Sequence, residues 1–144
     1  MKAKLRTLDE AAATPGSFHD CHVHGMEWRR DQHEFALRIQ YIVEWIAVPN
    51  TGYYRFRVSN SVLVFRDVES PQVDLNWSDA ALDCQNDEML IAGSRLTPNG
   101  SVQRQFEVLF SNPAARVSLW ASGYEVRLLQ EPMLADTPWI PISD

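Results

Sequence analysis

Strict alternation of apolar and polar side chains over residues 33–47 is the clearest pattern in the chain. Arg38, Gln40 and Glu44 lie at polar positions of this alternation. A period of two that persists over this length is typical of a β-strand with one buried face, and a helix cannot keep it. The segment therefore predicts a long strand. The apolar residues on its inward face would be Phe35, Leu37, Ile39, Tyr41, Val43 and Trp45.

Most of the remaining sequence also reads as short strands between turn residues. The expected strands span residues 18–29, 54–58, 62–68, 73–77, 89–96, 102–110, 117–121 and 124–129. The first two strands are expected to pair as a hairpin, and Asn99-Gly100 is expected to turn a second hairpin. Ser122-Gly123 would close the last hairpin, and residues 59–61 would turn the chain between two separate strands. About nine strands with such frequent turns predict an all-β, single-domain antiparallel β-sandwich or barrel.

The two ends of the chain differ from this pattern. Residues 7–13 predict a short helix, which Thr7 would cap and Pro15-Gly16 would end, so residues 1–16 form a helical lead-in. Residues 131–144 contain Pro132, Pro138 and Pro141, and we expect an extended, proline-rich tail that lies across the sheet through Trp139. Residues 1–144 are thus interpreted as one β domain.

Composition and charge narrow the function classes. The 144 residues are 45% hydrophobic and carry a formal net charge of −6. An acidic balance argues against nucleic acid or an anionic membrane as the partner, because both need clustered cations. Two cysteines are too few for a disulfide framework, and no apolar run is long enough for a signal peptide or a membrane helix. We therefore expect a cytoplasmic location.

Residues 19–24, His-Asp-Cys-His-Val-His, form the most unusual polar segment. In a strand, Asp20, His22 and His24 would share one face, because side chains alternate. Two histidines and a carboxylate could hold a divalent metal in an open, catalytic type of site. The chain would then be a metal-binding β-barrel or an enzyme.

The spacing from Gly16 to His22-Val23-His24 resembles the first half of the cupin metal motif. The resemblance covers fewer than a dozen residues. The motif's glutamate should follow the second histidine by three or four residues, whereas Glu27 follows after only two. No histidine comes after His33 to supply the second half of the motif.

A structural interpretation of the same segment is a β-bulge at Gly25. Cys21 and Val23 have the opposite parity from Met26 and Trp28, and one extra residue would turn all four inward. His22 and His24 would then point outward. Asp20 would accept backbone N–H bonds where the chain enters the strand.

Exposed polar and aromatic side chains offer a third interpretation, a contact surface. The chain has five tryptophans, of which Trp28, Trp45 and Trp77 fit core positions by parity. Trp120 and Trp139 are the candidates for exposure, and His19 and Asp20 could add a polar patch. Aromatic residues are enriched at binding hot spots. A small-molecule or carbohydrate binder would use similar side chains.

Residues 17–23, Ser-Phe-His-Asp-Cys-His-Val, and the strand that ends at Trp45 support a family resemblance. Together they resemble small bacterial proteins of unknown function with an N-terminal Phe-His-Asp strand, some of which are similar to polymorphic-toxin immunity proteins (Imm50-like). The resemblance implies a compact cytoplasmic β domain that binds another protein, and it transfers no catalytic residue.

The leading functional expectation is a non-enzymatic binding module without a cofactor. Its partner would be another protein or a second copy of the chain. Acidic net charge suits an inhibitor of a basic toxin. The divalent-metal site and the small-molecule or carbohydrate site are the alternatives.

Overall fold

The computed structural model describes residues 6–75, 84–111 and 114–140, and the side chains of all of these except 75 and 84–87. The described elements are almost all strands. They are β1 (Thr7–Leu8), β2 (His22–Arg29), β3 (Glu34–Ala47), β4 (Tyr54–Arg66), β5 (Glu69–Leu75), β6 (Cys84–Leu96), β7 (Val102–Ser111), β8 (Ala115–Ala121), β9 (Gly123–Leu128) and β10 (Met133–Ala135). Two short 3₁₀ helices, Pro15–Phe18 and Arg30–Gln32, flank β2.

The strands pair in the order β1-β9-β4-β3-β2-β6-β7-β8-β5, and β10 pairs with the first part of β4. Every pairing is antiparallel. The link between β2 and β6 is short, with His22 opposite Gln85 and Val23 opposite Cys84. At this junction the strands divide into two layers, one built around β3 and β4 and the other around β6 and β7.

Aromatic side chains join the two layers in the core. The Phe106 ring, from β7, lies 5.3 Å from Phe65 of β4 and 5.6 Å from Tyr124 of β9, measured between centroids. All three side chains are fully or almost fully buried. Such tilted and edge-to-face contacts are favourable beyond the burial of area. Of the two predicted architectures, an antiparallel β-sandwich or barrel, the sandwich is confirmed, and the described residues contain ten strands in place of about nine.

Strand β4 runs without a break through residues 59–61, so the turn predicted there is wrong. Ser59, Asn60 and Ser61 are buried and pair with Tyr41, Gln40 and Ile39 of β3. Every residue from 58 to 65 is buried, which means that both faces of the strand are covered. The sequence indicates a turn here because three polar residues follow an alternating segment. In the structure, their hydroxyl and amide groups make hydrogen bonds inside the protein instead.

The hairpin predicted across Ser122-Gly123 is also wrong. β8 pairs with β7 and β5 in one layer, whereas β9 pairs with β4 and β1 in the other. The chain therefore passes from one layer to the other within Ser122. Adjacent strands that belong to different sheets are common in sandwiches, and their local pattern looks the same as that of a hairpin.

The helix predicted over residues 7–13 is wrong as well. Thr7 and Leu8 pair with β9, and Leu8 packs against the core. The Asp9 carboxylate then accepts hydrogen bonds from the backbone N–H groups of Ala11 and Ala12, at 3.1 and 2.9 Å, which makes a single capped turn. An isolated helix of two turns is only marginally stable in water, so these residues are more stable when they pair with the edge of a sheet.

The segment after β9 is attached to β3 and β4 by buried polar groups. Ser59 Oγ donates to the backbone oxygen of Gln130 at 2.7 Å, and Asn60 Nδ2 donates to Gln130 Oε1 at 3.3 Å. Farther along, Ile140 is buried and bonded to the side chain of Gln40. These bonds give the irregular segment a fixed path over the sheet.

A chain of ion pairs crosses the outer face of the β3 layer. It covers the small apolar cluster of Ala36, Val62 and Val64. Successive members lie 3.3 to 3.6 Å apart. In order they are Glu27, Arg29, Glu34, Arg127, Glu125 and Arg66.

Candidate functional site

The histidine segment contains the β-bulge that its residue parity predicts. Val23 lies opposite Ile39 and Gly25 lies opposite Arg38, so His24 is the extra residue between them. Cys21 and Val23 are fully buried on the inner side. A Cβ atom at Gly25 would lie 3.1 Å from Cδ of Arg38, so glycine lets the arginine stem lie across the bulge.

Cys21 belongs to the core and has no reactive character. Its side chain is inaccessible to solvent, and burial raises the pKa of the thiol to about 12. The thiolate is the nucleophilic form of cysteine, and at neutral pH this residue is essentially all thiol. The neighbouring Tyr41 hydroxyl donates to Ser17 Oγ at 2.9 Å, and burial raises the pKa of Tyr41 also.

The proposed metal ligands do not converge on one point. Asp20 has a left-handed backbone, with φ of 66°, and its carboxylate lies 3.3 Å from Nδ1 of the exposed His19. The His22 ring instead packs against Trp139, with centroids 5.1 Å apart. Among the described residues, no group of three or more His, Cys, Asp or Glu side chains could hold a metal ion.

Two of the tryptophans are not buried, although their positions in the alternation of side chains predicted that they would be. Trp28 and Trp45, expected in the core, are each 42% exposed. Each nevertheless lies opposite a core residue, Trp28 opposite Phe35 and Trp45 opposite Phe56. Trp139 is exposed, as expected for a contact residue. Trp120 is half-buried, and the Arg95 guanidinium lies 4.2 Å from its ring centroid, so that ring already has a partner. Trp77 lies outside the described residues.

An aromatic surface occupies the end of the sandwich at the turn between β3 and β4. We call Trp45, Tyr53, Tyr54 and Met133 the aromatic end. Trp45 lies opposite Phe56, and its ring meets the rings of Tyr54 and Phe56 edge to face, at 5.8 and 4.9 Å. Met133 lies opposite Val58 on the same face, because directly opposed residues share a face.

The side chains of the aromatic end are open to solvent. Tyr53 is 73% exposed, Tyr54 49% and Met133 52%, whereas Phe56, which the Trp45 ring contacts, is only 8% exposed. Phe56 therefore completes the core, and the aromatic end is additional apolar area above it. Large apolar side chains grouped together on a surface commonly mark an interaction site.

A polar cleft of about 380 Å³ lies at the opposite end of the β3 and β4 strands. We call it the loop-end cleft. Its walls come from four connections: β2 to β3, β4 to β5, β6 to β7 and β8 to β9. The lining includes His33, Asp67, Val68, Glu69, Thr97, Pro98, Asn99, Ser101, Gln103 and Ser122. Loops held by a rigid sheet are frequent places for ligand binding.

Hydrogen bonds tie the walls of the loop-end cleft together. Ser122 Oγ donates to Asp67 Oδ2 at 2.6 Å, and Gln103 Nε2 donates to the backbone oxygen of Asp67 at 3.0 Å. The backbone N–H of Val68 donates to the carbonyl of His33 at 2.8 Å. His33 and Asp67 both have left-handed backbones, with φ of 52°, which non-glycine residues adopt uncommonly.

Sequence reasoning missed both surfaces. For the aromatic end, the adjacent tyrosines at 53 and 54 after Asn50-Thr51-Gly52 were a usable signal, because side chains near a turn are often exposed. For the loop-end cleft no local signal existed. Its residues lie up to 89 positions apart in the sequence, from His33 to Ser122, and only the fold brings them together.

No protein-family model, curated protein or solved structure matches this chain. No helix in the described part of the chain has the length and apolar character needed to span a bilayer. The surfaces themselves are therefore the basis for a functional conclusion.

Proposed function

We propose that this protein is a non-enzymatic binding module that contacts a protein partner through the aromatic end. The observation that carries the proposal is the pair of exposed rings formed by Trp45 and Tyr54 beside Phe56, which is itself buried in the core. Keeping large apolar rings in water is unfavourable, and covering them by a partner would recover free energy.

The geometry of these rings suits recognition. Trp45 touches both Tyr54 and Phe56 edge to face, so its ring has little freedom to lose when a partner binds. Side chains that are ordered before binding lose less entropy on association. Tryptophan and tyrosine are also the residues most enriched among binding hot spots.

The chemistry of the partner follows from charge. With a net charge of −6, the chain attracts a basic protein and speeds its approach, while the aromatic end supplies the short-range contact. An acidic module that covers a basic cytoplasmic protein is the kind of role that the immunity-protein resemblance implies. A second copy of the chain is the alternative occupant of the same surface.

The decisive experiment compares two tryptophans of equal exposure. Trp45→Ser and Trp28→Ser each remove one ring that is 42% exposed, but only the first lies in the aromatic end. A partner captured by the native chain is identified, purified and titrated by calorimetry against both variants. We expect Trp45→Ser to weaken binding by about 30-fold or more, and Trp28→Ser by less than about threefold.

Two results would count against the proposal. One is equal binding by the two variants. The other is a chain that captures no partner and remains monomeric in light scattering at high concentration. If the chain associates with itself, Trp45→Ser should return it to monomer and Trp28→Ser should not.

A further inference from the structure

We propose that the partner of the aromatic end binds as an extended segment that adds a strand to the free edge of β3. This inference rests on the proposed function and specifies the chemistry of the partner. The segment is basic and has apolar side chains at alternate positions. The pairing of β3, the direction of its backbone groups and the exposure of its last residues carry the inference.

Strand β3 has two edges, and they are covered over different lengths. On one edge, β3 pairs with β4 as far as Ala47. On the other edge, pairing with β2 ends at Gln40, and the backbone of Ile42 then bonds to the Cys21 thiol. Beyond this point, no strand in the described part of the chain pairs with the second edge. We call this edge of residues 44–47 the open edge.

The open edge carries backbone hydrogen-bonding groups that point away from β4. The N–H of Val48 donates to the carbonyl of Tyr53, just before β4, at 2.9 Å. Because the backbone groups of successive strand residues point to alternate edges, those of Ile46 face β4, and those of Trp45 and Ala47 face away from it. Two N–H and two C=O groups are thus spaced as an antiparallel ladder requires, and they match the backbone of an extended segment.

The side chains of the open edge are exposed on both faces of the sheet. Glu44 and Trp45 are neighbours in a strand and therefore point to opposite faces, and both are exposed. Ala47, on the same face as Trp45, is exposed as well. Both faces are therefore accessible to the side chains of an added strand.

The aromatic face gives an added strand specific side-chain contacts. Ala47 lies opposite Tyr54, so both of these side chains share a face with Trp45. A residue added opposite Trp45 would lie beside its ring, and one added opposite Ala47 would extend over a single methyl group toward Tyr54. Cross-strand pairs of aromatic and β-branched side chains stabilise a sheet, so apolar residues at alternate positions suit this face.

The open edge has little of the protection that keeps sheet edges from pairing. Natural edges are commonly protected by charged side chains, proline or bulges. The edge strand β5, for example, contains Pro71 and a bulge. In the open edge the one charged side chain, Glu44, is paired with Arg57. The bulge of β3, at Val43, comes before the open edge, and the residues after it pair with β4 in regular register.

The charge of the added segment follows from the charge of the whole chain. Two ion pairs beside the open edge cancel their own charges: Glu44 with Arg57 and Arg55 with Asp136. The net charge of −6 therefore decides which segments are attracted. A basic segment is attracted, whereas a second copy of this acidic chain is repelled.

The test uses the intact chain and the basic peptide acetyl-Arg-Val-Arg-Val-Arg-Val-amide as the probe. Two-dimensional NMR follows backbone amide shifts and amide hydrogen exchange during a titration. We expect a dissociation constant on the order of 1 mM, slower exchange at Trp45 and Ala47, and unchanged exchange at Ile46, whose N–H faces β4. The matched peptide with glutamate in place of arginine should bind at least about fivefold more weakly.

Ala47→Pro is the informative variant, because it removes one outward N–H and keeps every ring of the aromatic end. Proline is tolerated in an edge strand where the N–H faces solvent. The control, Arg30→Pro, places proline at the first position of the 3₁₀ helix before the other end of β3, where its ring is also tolerated. We expect Ala47→Pro to weaken binding of the basic peptide at least about fivefold, and Arg30→Pro to leave it within about twofold.

Slow exchange of the Val48 amide in Ala47→Pro shows that the hairpin of β3 and β4 is intact. If that hairpin opens, the exchange of Trp45 and Ala47 in the native chain decides alone. The proposal is overturned if the basic peptide does not slow their exchange, or if Ala47→Pro, correctly folded, binds it as the native chain does. Equal binding of the acidic peptide, or self-association that Ala47→Pro abolishes, also overturns it.

The captured partner separates this inference from the proposed function. Binding that is lost in Trp45→Ser but retained in Ala47→Pro supports contact through the aromatic end and rejects strand addition. Binding that is lost in both variants, and retained in Trp28→Ser and Arg30→Pro, supports both.

Discussion

Gln40 and Ile140 are joined by a reciprocal pair of hydrogen bonds between a side chain and a backbone. The Gln40 amide nitrogen donates to the carbonyl of Ile140, and the Ile140 N–H donates to Gln40 Oε1 at 3.3 Å. The amide of glutamine has the same donor and acceptor as a peptide group. It therefore serves as the backbone partner that the irregular end segment lacks.

Replacing Gln40 with alanine should destabilise the protein by about 2–3 kcal/mol, because it leaves buried backbone groups of Ile140 without their partner. Asn60 Oδ1, which accepts from Gln40 Nε2 at 3.2 Å, loses a bond as well. Urea denaturation measures the change. Gln32→Ala, at an exposed position, is the control and should change stability by less than about 0.5 kcal/mol. Equal effects of the two substitutions would show that the bonds to Ile140 do not hold the segment.

Cys21 should make the protein less stable as the pH rises above 9. Burial raises its pKa from 9.0 to about 12 in the folded state, so between these values the unfolded chain releases a proton that the folded chain retains. The unfolded state then binds fewer protons, and the free energy of unfolding decreases with pH. The contribution is fully present below pH 9 and should decrease by about 1 kcal/mol between pH 9 and 10.

The control for this prediction is Cys21→Ala, which deletes the titrating group. Its stability will be lower at all pH values because a buried side chain is shortened. What matters is the slope: between pH 9 and 10 the native chain should lose about 1 kcal/mol more than the variant. Parallel slopes would mean that Cys21 ionises normally in the folded protein.

Gly123 makes room for the carboxylate of Glu10. A Cβ atom there would lie 2.7 Å from Glu10 Oε2, the oxygen that pairs with Arg104 at 2.7 Å. The hydrogen bond that Arg104 donates to Glu10 raises the pKa of Arg104, as expected for a stabilised cation. Gly123→Ala should displace Glu10 and cost about 1 kcal/mol of stability.

A double-mutant cycle tests this cause. In a Glu10→Ala background the carboxylate is absent, so Gly123→Ala should cost close to nothing. Urea denaturation of the four proteins gives the coupling energy. If the glycine substitution costs the same in both backgrounds, its effect comes from the backbone or from Arg66, whose Nη2 would lie 3.0 Å away.

The outer ion-pair chain should depend on Glu125, which contacts both Arg66 and Arg127. Its side chain is only 16% exposed, so solvent screens these pairs less than ordinary surface pairs. Glu125→Gln should cost about 1–2 kcal/mol at low salt, and less in 1 M sodium chloride. Glu131→Gln, at an exposed position, should have no measurable effect at either salt concentration.

The parts of the fold that were predictable from sequence are those with a clear alternation of apolar residues or a local turn, even where, as at Ala36 and Gln40 of β3, the second face is buried too. β3 and the hairpin of β6 and β7 follow their alternation and the turn at Asn99-Gly100. β4 was divided in two because both of its faces are buried around Asn60, so the alternation that marks a strand disappears. β8 and β9 lie in different layers because each pairs with different strands that are distant in the sequence. The local sequence pattern contains no information about those partners.

The candidate sites show the same division. The bulge at Gly25 could be predicted from the sequence. Cys21 and Val23 alternate out of step with Met26, so one extra residue is needed for all three to face the core. The exposure of Trp45 could not be predicted, since parity gives the face of a strand but does not show where the opposite layer ends. The loop-end cleft is assembled from four separate connections and exists only in the folded chain.

The passage of the chain between layers at Ser122 has a consequence for the order of folding. β4 is covered on one edge by β3, which precedes it, but its other edge is completed by β9 and β10, which follow more than fifty residues later. During synthesis that apolar edge stays open until residues 123–135 have emerged. Pairing over so long a separation is slow. Until then, the half-built sheet would be the state most prone to aggregation, and most in need of a chaperone.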